Sequence, residues 1–325
     1  MSEKLKIGII GIGMVGTPLM EWLTENRGYK RGVDLFCYDI DSRKSCEDDV
    51  NLADVIFICV PTPPNPDGSC NTSIVRTAIR MIEGPKTVVI KSTVPPRTTE
   101  IFQIRYPDKK FIFYPEFLTE SQAGADFIHP DRQILGVTSK SLGETGEILL
   151  QLPLALFTRP WSPIYGSKKV LNATEAELVK YASNVFGYIK VIFGNMLADI
   201  VYGLNLSGTV GKVEYDNVKE CLGADPRIGS SWLDVEHGDY CGAGGFCFPK
   251  DMNAFIAFVE ILTAEMEIAG IRGLVIERML YVADILKLVR NYNSSLLSSQ
   301  NLTEEEVSIH NHELVLKKRT KIRQS

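Results

Sequence analysis

The chain has 325 residues, more than one ordinary hydrophobic core accommodates, so we predict two domains. Apolar residues make up 45% and charged residues 23%, which is typical of a soluble globular protein. The formal net charge of -5 argues against a nucleic-acid partner, because proteins that bind phosphate backbones usually carry a basic excess.

The seven cysteines are irregularly spaced and form no CxxC pair. We therefore predict neither a metal site nor a disulfide framework, but reduced thiols in the cytoplasm. The N-terminus runs directly into a strand-like segment and lacks a small-residue cleavage site, so we expect no signal peptide. The most apolar long window, 185–204, contains Lys190, Asn195 and Asp199. These groups are costly in hydrocarbon, so the window predicts a buried helix and no membrane partner.

Short β-branched runs alternate with amphipathic stretches from about residue 5 to residue 157. Continuous apolar runs separated by helices indicate a parallel sheet covered on both faces. This pattern predicts an α/β fold, with a Rossmann-like doubly wound parallel sheet in a cofactor domain over residues 1–168. The predicted strands are 6–10, 33–38, 55–60, 87–90, 110–114 and 133–136, and the helical patterns between them include 16–25 and 73–82.

After Lys168 the pattern becomes helical to about residue 290, which predicts an all-helical domain over residues 169–291 with a long central helix. Thr174 and Glu177 match an S/T-x-x-E capping box ahead of an apolar stretch that reaches Leu204, about 45 Å at ~1.5 Å per residue. Apolar side chains cover more than one face of this helix, so we predict a homodimer through it. Residues 292–325 are rich in Ser, Asn, Glu and Lys, which predicts a polar, solvated or partly helical tail.

The segment GIGMVG, at residues 11–16, is a G-x-G-x-x-G that follows a predicted strand and opens a helix. Backbone N–H groups at such a turn bind a pyrophosphate at the positive end of the helix. Asp39 closes the second predicted strand, where a carboxylate binds the adenosine ribose hydroxyls and repels a 2′-phosphate, so we predict NAD as the cofactor. The predicted cofactor-binding residues here are Gly11, Gly13, Met14, Val15, Gly16 and Asp39.

The segment GGFCFPKD, at residues 244–251, carries the chemistry. Pro249 suits the first turn of a helix, which places Cys247 just ahead of the helix N-terminus, where the dipole favours a thiolate. In a dehydrogenase, this sulfur can add to the aldehyde formed by a first oxidation. The resulting thiohemiacetal loses a second hydride to give a thioester, which water hydrolyses to an acid.

GGFCFPKD resembles the catalytic signature of the UDP-glucose/GDP-mannose dehydrogenase family, the nucleotide-sugar 6-dehydrogenases. Further motifs agree in the same order over about residues 5–291. The resemblance implies NAD-dependent oxidation of the 6-hydroxyl of a nucleotide-sugar substrate to a carboxylate, with UDP-glucose as the default. The motifs are GIGMVG (11–16), VPTP (60–63), KSTVPP (91–96), PEFLTE (115–120), PDRQILG (130–136), KYASN (180–184) and DPRIG (225–229).

The resemblance also implies roles for individual residues. Cys247 resembles the nucleophile, and Asp251 resembles the carboxylate that assists proton transfer. Lys180 and Asn184 lie four apart, on one helix face, and resemble the pair that stabilises the oxyanion. Glu120 resembles the base for thioester hydrolysis. The remaining implied residues are Glu116 and Thr93 as catalytic neighbours, Thr62, Thr93 and Glu120 beside the nicotinamide, and Arg132, Phe117, Leu118, Lys180, Asn184, Tyr240 and Gly244 on the substrate side.

The sequence departs from the family pattern at Arg97, where glycine is usual, and at Tyr114, where asparagine is common. We also expect the chain to lack the family's C-terminal UDP-binding domain, since a polar segment follows Asn291. Two other functions stay open. A two-electron β-hydroxyacid-type dehydrogenase carries a Lys and an Asn at this spacing but leaves Cys247 unexplained. A truncated NAD-binding protein without turnover fits the missing domain but not the retained catalytic residues.

Overall fold

The computed structural model describes residues 4–118, 122–130, 132–153, 171–208, 211–237 and 240–308. They belong to two compact units. The first comprises Met1–Pro63 and Cys70–Lys180, and the second comprises Pro64–Ser69 and Tyr181–Ser325. The predicted domain boundary at residue 168 lies outside the described residues and stays a prediction.

Seven short strands among the described residues of the first unit form one sheet. They are β1 (Ile7–Ile10), β2 (Leu35–Tyr38), β3 (Val55–Ile58), β4 (Thr87–Ile90), β5 (Lys110–Phe113), β6 (Gly136–Val137) and β7 (Leu171–Asn172). Their order in the sheet is β2-β1-β3-β4-β5-β6-β7. The strands from β1 to β5 are parallel, but β6 runs antiparallel to β5, and β7 is parallel to β6. The predicted parallel sheet is therefore confirmed over β1 to β5. The antiparallel pairing of β6 with β5 was not predicted, and it arises because the chain turns back after β5 without crossing to the other end of the sheet.

Helices cover both faces of this sheet. They are α1 (Gly16–Arg27), α2 (Ser73–Arg80), α3 (Thr98–Arg105), α4 (Ala123–Ile128) and α5 (Thr145–Gln151). Side chains alternate between the faces along each strand. Ile9 and Phe57 pack in one buried layer, whereas Ile10 and Ile56 pack in the other. The doubly wound fold is thereby confirmed.

The second unit is mainly helical, with one short hairpin. Its elements are α6 (Ala173–Ser207, which begins in the first unit), α7 (Tyr215–Gly223), β8 (Glu236–His237), β9 (Tyr240–Cys241), α8 (Phe248–Ile268), α9 (Leu274–Ser299) and α10 (Glu304–Ser308). The 35 residues of α6 make it the predicted long helix. Buried side chains of α6, α8 and α9, among them Tyr188, Ile256 and Leu286, form the core.

The N-terminus of α6 is capped by a different pair from the one predicted. The Glu175 N–H donates to Asn172 Oδ1 (2.8 Å), and the Asn172 N–H donates to Glu175 Oε2 (2.9 Å), so the predicted box of Thr174 and Glu177 is wrong. Glu177 is buried and accepts hydrogen bonds from the Thr99 N–H (2.8 Å) and the Thr99 hydroxyl (2.6 Å). Glu177 therefore caps α3, in the same unit. It does not cap α6, because α6 starts earlier than the sequence pattern predicted.

The helical region extends beyond its predicted end near residue 290. Helix α9 continues to Ser299, and α10 follows it. Leu297, Leu302 and Val307 are buried together with Tyr240. Few apolar residues lie in this polar segment, so its composition did not predict that they are buried. Residues 292–308 are thus partly helical, as one of the two predicted alternatives has it, but with three buried apolar side chains they are not a solvated tail. Residues 309–325 lie outside the described part.

Helix α6 is long and apolar enough to cross a membrane, judged by length and composition. Half of its most apolar 18-residue window is buried within the protein. The core helix of a soluble protein passes the same test, so this finding is a weak indication of a membrane span.

Candidate functional site

The glycine loop lies where the sheet changes its direction of growth. Strand β1 has β2 on one side and β3 on the other, and ligands of such sheets bind at the carboxyl ends of the strands beside this reversal. Gly11 has φ 94°, and a Cβ there would lie 2.8 Å from the Cys59 carbonyl oxygen. At Gly16 a Cβ would lie 1.9 Å from the Gly11 carbonyl oxygen. Both glycines are therefore required by the turn itself.

Gly13 is different, because it is exposed and a Cβ there would meet no atom of the described chain within 4 Å. Packing does not require a glycine at this position, whereas close approach of a dinucleotide pyrophosphate does. Met14 and Val15 lead into α1, whose first turn contains no acidic residue. The positive end of the helix dipole is thus left for an anion. This loop fits the pyrophosphate of NAD.

Asp39 follows β2 and is buried. Its carboxylate accepts hydrogen bonds from the Ile12 N–H (2.6 Å), the Asp41 N–H (2.9 Å) and Lys44 Nζ (2.9 Å). Burial raises the pKa of Asp39, but the bonds from Lys44 and the two backbone N–H groups outweigh it and hold the pKa below its ordinary value. Asp39 is therefore a carboxylate at neutral pH, as ribose recognition requires. The ion pair with Lys44 was not predicted.

We expect Asp39→Ser to weaken NAD binding and to relax discrimination against NADP. The substitution removes a ribose acceptor and leaves Lys44 without this acidic partner. The dissociation constant for NAD should rise roughly tenfold, and the NADP-to-NAD ratio of dissociation constants should fall by at least as much. Fluorescence titration with both cofactors measures this. Asp49→Ser removes an exposed acid of the same unit as a control, and an equal ratio in the two variants would contradict the assignment.

Two predicted nicotinamide-side residues lie together beyond the carboxyl ends of β3 and β4. The Thr62 hydroxyl donates to the Thr93 carbonyl oxygen (2.9 Å), and the Ser92 hydroxyl donates to the Val60 carbonyl oxygen (2.7 Å). These bonds join the two loops. The third predicted residue, Glu120, lies outside the described residues.

Glu116 and Lys180 form a buried ion pair in the first unit. Their charged atoms are 3.0 Å apart, and the side chains are 5% and 4% exposed. Glu116 also accepts a hydrogen bond from the Leu118 N–H (2.7 Å). Burial raises the pKa of Glu116, but the Lys180 charge, the Leu118 N–H and the Lys91 charge outweigh it and hold the pKa below its ordinary value. The structure thus holds Lys180 beside a carboxylate.

Two cations of the same unit lie close to the ring of Phe117. Arg132 Cζ is 4.0 Å from the ring centroid, and Lys180 Nζ is 5.4 Å from it. Aromatic faces attract such cations. The predicted residues Phe117, Lys180 and Arg132 therefore lie close together in the first unit.

Lys91 was missed as a candidate, although it stands in the KSTVPP motif directly after β4. Its side chain is buried, and Nζ lies 3.6 Å from the centroid of the Tyr114 ring. Burial lowers the pKa of Lys91 to about 8. Tyr114 also donates its hydroxyl to Gln133, so this departure from the family pattern supports a buried cation. The sequence signal that could have identified Lys91 is a lysine directly after a predicted strand of apolar residues.

Arg97 adopts φ 80°, in the left-handed region. Glycine enters this region without the steric cost of a Cβ, which explains why the family usually has glycine at this position. The arginine backbone is thus strained just ahead of α3.

Cys247 is the N-cap of α8 in the second unit, and Pro249 lies in the first turn. The Asp251 N–H donates to the Cys247 carbonyl oxygen (2.9 Å), which closes that turn. Cys247 is partly exposed, and none of the seven cysteines, all of which are described, forms a disulfide. The position is the one predicted, where the helix dipole favours an anion.

Asp251 is fully buried. Asn184 Nδ2 donates to Asp251 Oδ2 (2.5 Å), and Lys250 Nζ donates to Asp251 Oδ1. The structure thus brings two predicted residues into contact one turn after Cys247. Lys250 was not predicted, although it stands within the CFPKD segment.

Phe248, the first residue of α8, packs against α6 at Gly187. A Cβ at Gly187 would lie 2.6 Å from Phe248 Cζ and 3.3 Å from Trp232 Cζ3. The two rings pack edge to face, with centroids 5.8 Å apart. Gly187 therefore allows the first turn of α8, directly after Cys247, to pack closely on α6.

We expect Gly187→Ala to destabilise the second unit by about 1–3 kcal/mol, because the added methyl displaces Phe248. Gly203→Ala is the matched control, since Gly203 is on the same helix and a Cβ there meets no described atom within 4 Å. The control should gain about 0.5–1 kcal/mol from helix propensity. Urea unfolding measures both, and a similar gain in the two variants would refute the close packing.

Tyr240 and Gly244, two of the predicted substrate-side residues, lie in contact. A Cβ at Gly244 would lie 1.9 Å from the Tyr240 hydroxyl. Tyr240 is 8% exposed and packs with Leu297, Leu302 and Val307.

Comparison with known proteins identifies the family of the chain. Residues 42–152 match the NAD binding domain of the UDP-glucose/GDP-mannose dehydrogenase family, and residues 174–271 match its central domain. The chain belongs to this family. The matches confirm the predicted family, the fold class and NAD as the cofactor. The glycine loop and Asp39 precede the range that matches this family's NAD binding domain. Their geometry therefore supports NAD binding independently of that match.

The chain is similar in sequence to several nucleotide-sugar dehydrogenases. A UDP-glucose 6-dehydrogenase of Rickettsia felis is 36% identical over 217 residues, 64% of this chain and 44% of the relative. One of Pseudomonas aeruginosa is 35% identical over 222 residues, 64% of this chain and 45% of the relative. The matched region thus spans less than half of either relative.

Two solved structures share the fold. A UDP-glucose dehydrogenase from Pyrobaculum islandicum has a TM-score of 0.63 at 28% identity, covering 92% of this chain and 70% of the other. A UDP-D-ManNAc dehydrogenase from Pyrococcus horikoshii has a TM-score of 0.65 at 19% identity, covering 91% and 70%. At that identity the second likeness shows the fold alone.

Proposed function

We propose that the chain is an NAD-dependent nucleotide-sugar 6-dehydrogenase that oxidises a primary alcohol to a carboxylate through a thioester on Cys247. One observation carries the proposal: Cys247 caps α8, and the fully buried Asp251, one turn on, is held by Asn184 and Lys250. Family membership and the named relatives support the reaction class. UDP-glucose is the default substrate.

The proposed reaction balances as two oxidations and one hydrolysis. Loss of the hydroxyl proton and of a hydride from carbon gives an aldehyde. The Cys247 sulfur bonds the carbonyl carbon, and the thiohemiacetal loses a second proton and hydride to become a thioester. Water then releases the acid and the thiol. In sum, one alcohol, one water and two NAD⁺ give one carboxylate, two NADH and three protons, with the cofactor accepting each hydride.

The proposed roles rest on the family motifs and on the charge and hydrogen-bonding groups of each residue. Lys180, held by Glu116, supplies positive charge to the oxyanion, and Asn184 supplies a neutral donor. Asp251 accepts and returns the proton. Glu120 and Thr93 assist hydrolysis through water, as in the family that the motifs resemble.

We propose a homodimer through α6. Phe186, Phe193 and Ile200 lie seven residues apart on this helix and are 63%, 47% and 58% exposed. That spacing forms an apolar stripe suited to a partner helix. Light scattering should show a dimer for the wild type and a monomer for Phe193→Glu. A monomeric wild type would end this proposal.

We also propose a cytoplasmic location, because the mechanism needs Cys247 as a reduced thiol. Fractionation of cells that express the protein tests this. Recovery in the membrane or secreted fraction would contradict it.

The experiment counts NADH formed per substrate over a panel of sugar nucleotides, with wild type and Cys247→Ala. Two NADH per substrate in the wild type supports the proposal. One NADH per substrate, unaffected by the substitution, supports a two-electron dehydrogenase instead. Intact NAD binding without turnover across the panel supports a binding protein.

A further inference from the structure

Two side-chain amides of α9 and its end hold the loop before Cys247. Asn293 Oδ1 accepts the Ala243 N–H (2.8 Å), and Asn293 Nδ2 donates to the Ala243 carbonyl oxygen (2.9 Å). Gln300 Oε1 accepts the Cys241 N–H (2.8 Å), and Gln300 Nε2 donates to the Cys241 carbonyl oxygen (3.0 Å). Each amide therefore bonds both the donor and the acceptor of one loop residue, as a neighbouring strand would.

A third contact comes from α10. The Gly245 N–H, two residues before Cys247, donates to the Val307 carbonyl oxygen (2.9 Å). The three holding residues are spaced seven apart along the chain, and we call them the 293–307 clamp: Asn293, Gln300 and Val307.

Two of the three residues of the 293–307 clamp, Asn293 and Val307, are buried. Asn293 is fully buried, and a Cβ at Gly242 would lie 2.6 Å from Asn293 Oδ1. A buried amide with both of its groups bonded is stable, whereas one with a lost partner costs about 1–3 kcal/mol. The loop is therefore held in one orientation and not merely at one distance.

We propose that Asn293 and Gln300 are positioning residues that act through this loop to set the place of the Cys247 sulfur. The catalytic part of this inference rests on the proposed function. The reason is geometric: the clamp fixes three alternate residues, 241, 243 and 245, and Cys247 is the next in that series. A displacement of about 1 Å at a reacting atom can cost on the order of 10²-fold in rate. Nothing in the polar composition of residues 292–308 predicted this.

The test compares Asn293→Asp and Gln300→Glu with the control Ser298→Ala, an exposed position on α9. Aspartate keeps the size of asparagine, but its ionised form cannot donate to the Ala243 carbonyl oxygen. The first readout is the rate of alkylation of Cys247 by iodoacetamide relative to the exposed Cys221, measured by peptide mass spectrometry. The others are kcat, the dissociation constant for NAD and the melting temperature.

We expect Asn293→Asp to change the alkylation ratio by about fivefold or more and to lower kcat by roughly 10–100-fold, with NAD binding unchanged. Ser298→Ala should match the wild type. A lowered melting temperature with unchanged alkylation ratio and kcat would overturn the inference, since the clamp would then serve stability alone. Gln300→Glu, at a partly exposed position, provides the same comparison should Asn293→Asp fail to fold.

The alkylation readout does not depend on turnover. Suppose that the wild type turns over no sugar nucleotide but that the variants change the alkylation ratio of Cys247 to Cys221. This result would refute the proposed function and leave the positioning role intact. Turnover in the wild type with an unchanged ratio in the variants would refute the positioning alone.

Discussion

Replacing Cys247 with alanine is expected to lower the rate of acid formation by about 10³-fold or more, with NAD binding unchanged. The first hydride leaves an alcohol carbon and needs no sulfur. The second must leave a tetrahedral carbon, which the thiohemiacetal provides. The variant should therefore form at most one NADH per substrate, and the aldehyde should be the oxidised product. Absorbance at the NADH band and chromatography of the quenched reaction measure both.

Cys221→Ala is the matched control, because it removes an exposed thiol of the second unit. It should keep the wild-type rate and the yield of two NADH. Acid formation by Cys247→Ala at a rate near that of the control would show that the sulfur is not the covalent catalyst.

Lys180→Met is expected to destabilise the first unit by roughly 3 kcal/mol at neutral pH. The reason is that Glu116 stays buried without its 3.0 Å partner. The value lies at the lower end for buried pairs because Lys91 leaves a positive charge nearby. Lys110→Met, which breaks a more exposed pair with Glu144, should cost about 1 kcal/mol or less. Urea unfolding compares the two, and equal losses would contradict a buried pair.

The loss in Lys180→Met should depend on pH. Since the pKa of Glu116 is held below its ordinary value of 4.5 in the folded wild type, its ionised form contributes stability above that value. This contribution disappears as the pH falls through the lowered folded pKa. The stability difference between wild type and variant should thus be greatest at neutral pH and should shrink in acid. A difference that grows as the pH falls would have the wrong sign.

Local patterns predicted the sheet well and long-range contacts poorly. Both ends of strand β4 were predicted correctly, because a short run of apolar residues between turns favours a buried strand. The cap of α6 was misassigned because Glu177 bonds Thr99, a contact 78 residues away in the sequence. The periodicity of residues within a single helix does not predict such a contact.

The same distinction holds for the candidate site. The preference of Pro249 for the first turn of a helix predicted that Cys247 precedes a helix, since both residues are local to one segment. Lys91 and Asn293 act through partners on other elements, Tyr114 and Ala243, and were missed. Burial by the fold, and not residue type, distinguishes them from ordinary polar residues.

The central claim is a covalent bond between the substrate carbon and the Cys247 sulfur. Mixing excess enzyme with NAD and a turned-over sugar nucleotide, quenching in acid and mapping the peptide that carries Cys247 by mass spectrometry tests it directly. We expect the mass of the nucleotide-sugar acyl group on Cys247, appearing before the acid and absent from Cys247→Ala. Acid formed in the wild type while that peptide stays unmodified at every time point would contradict it.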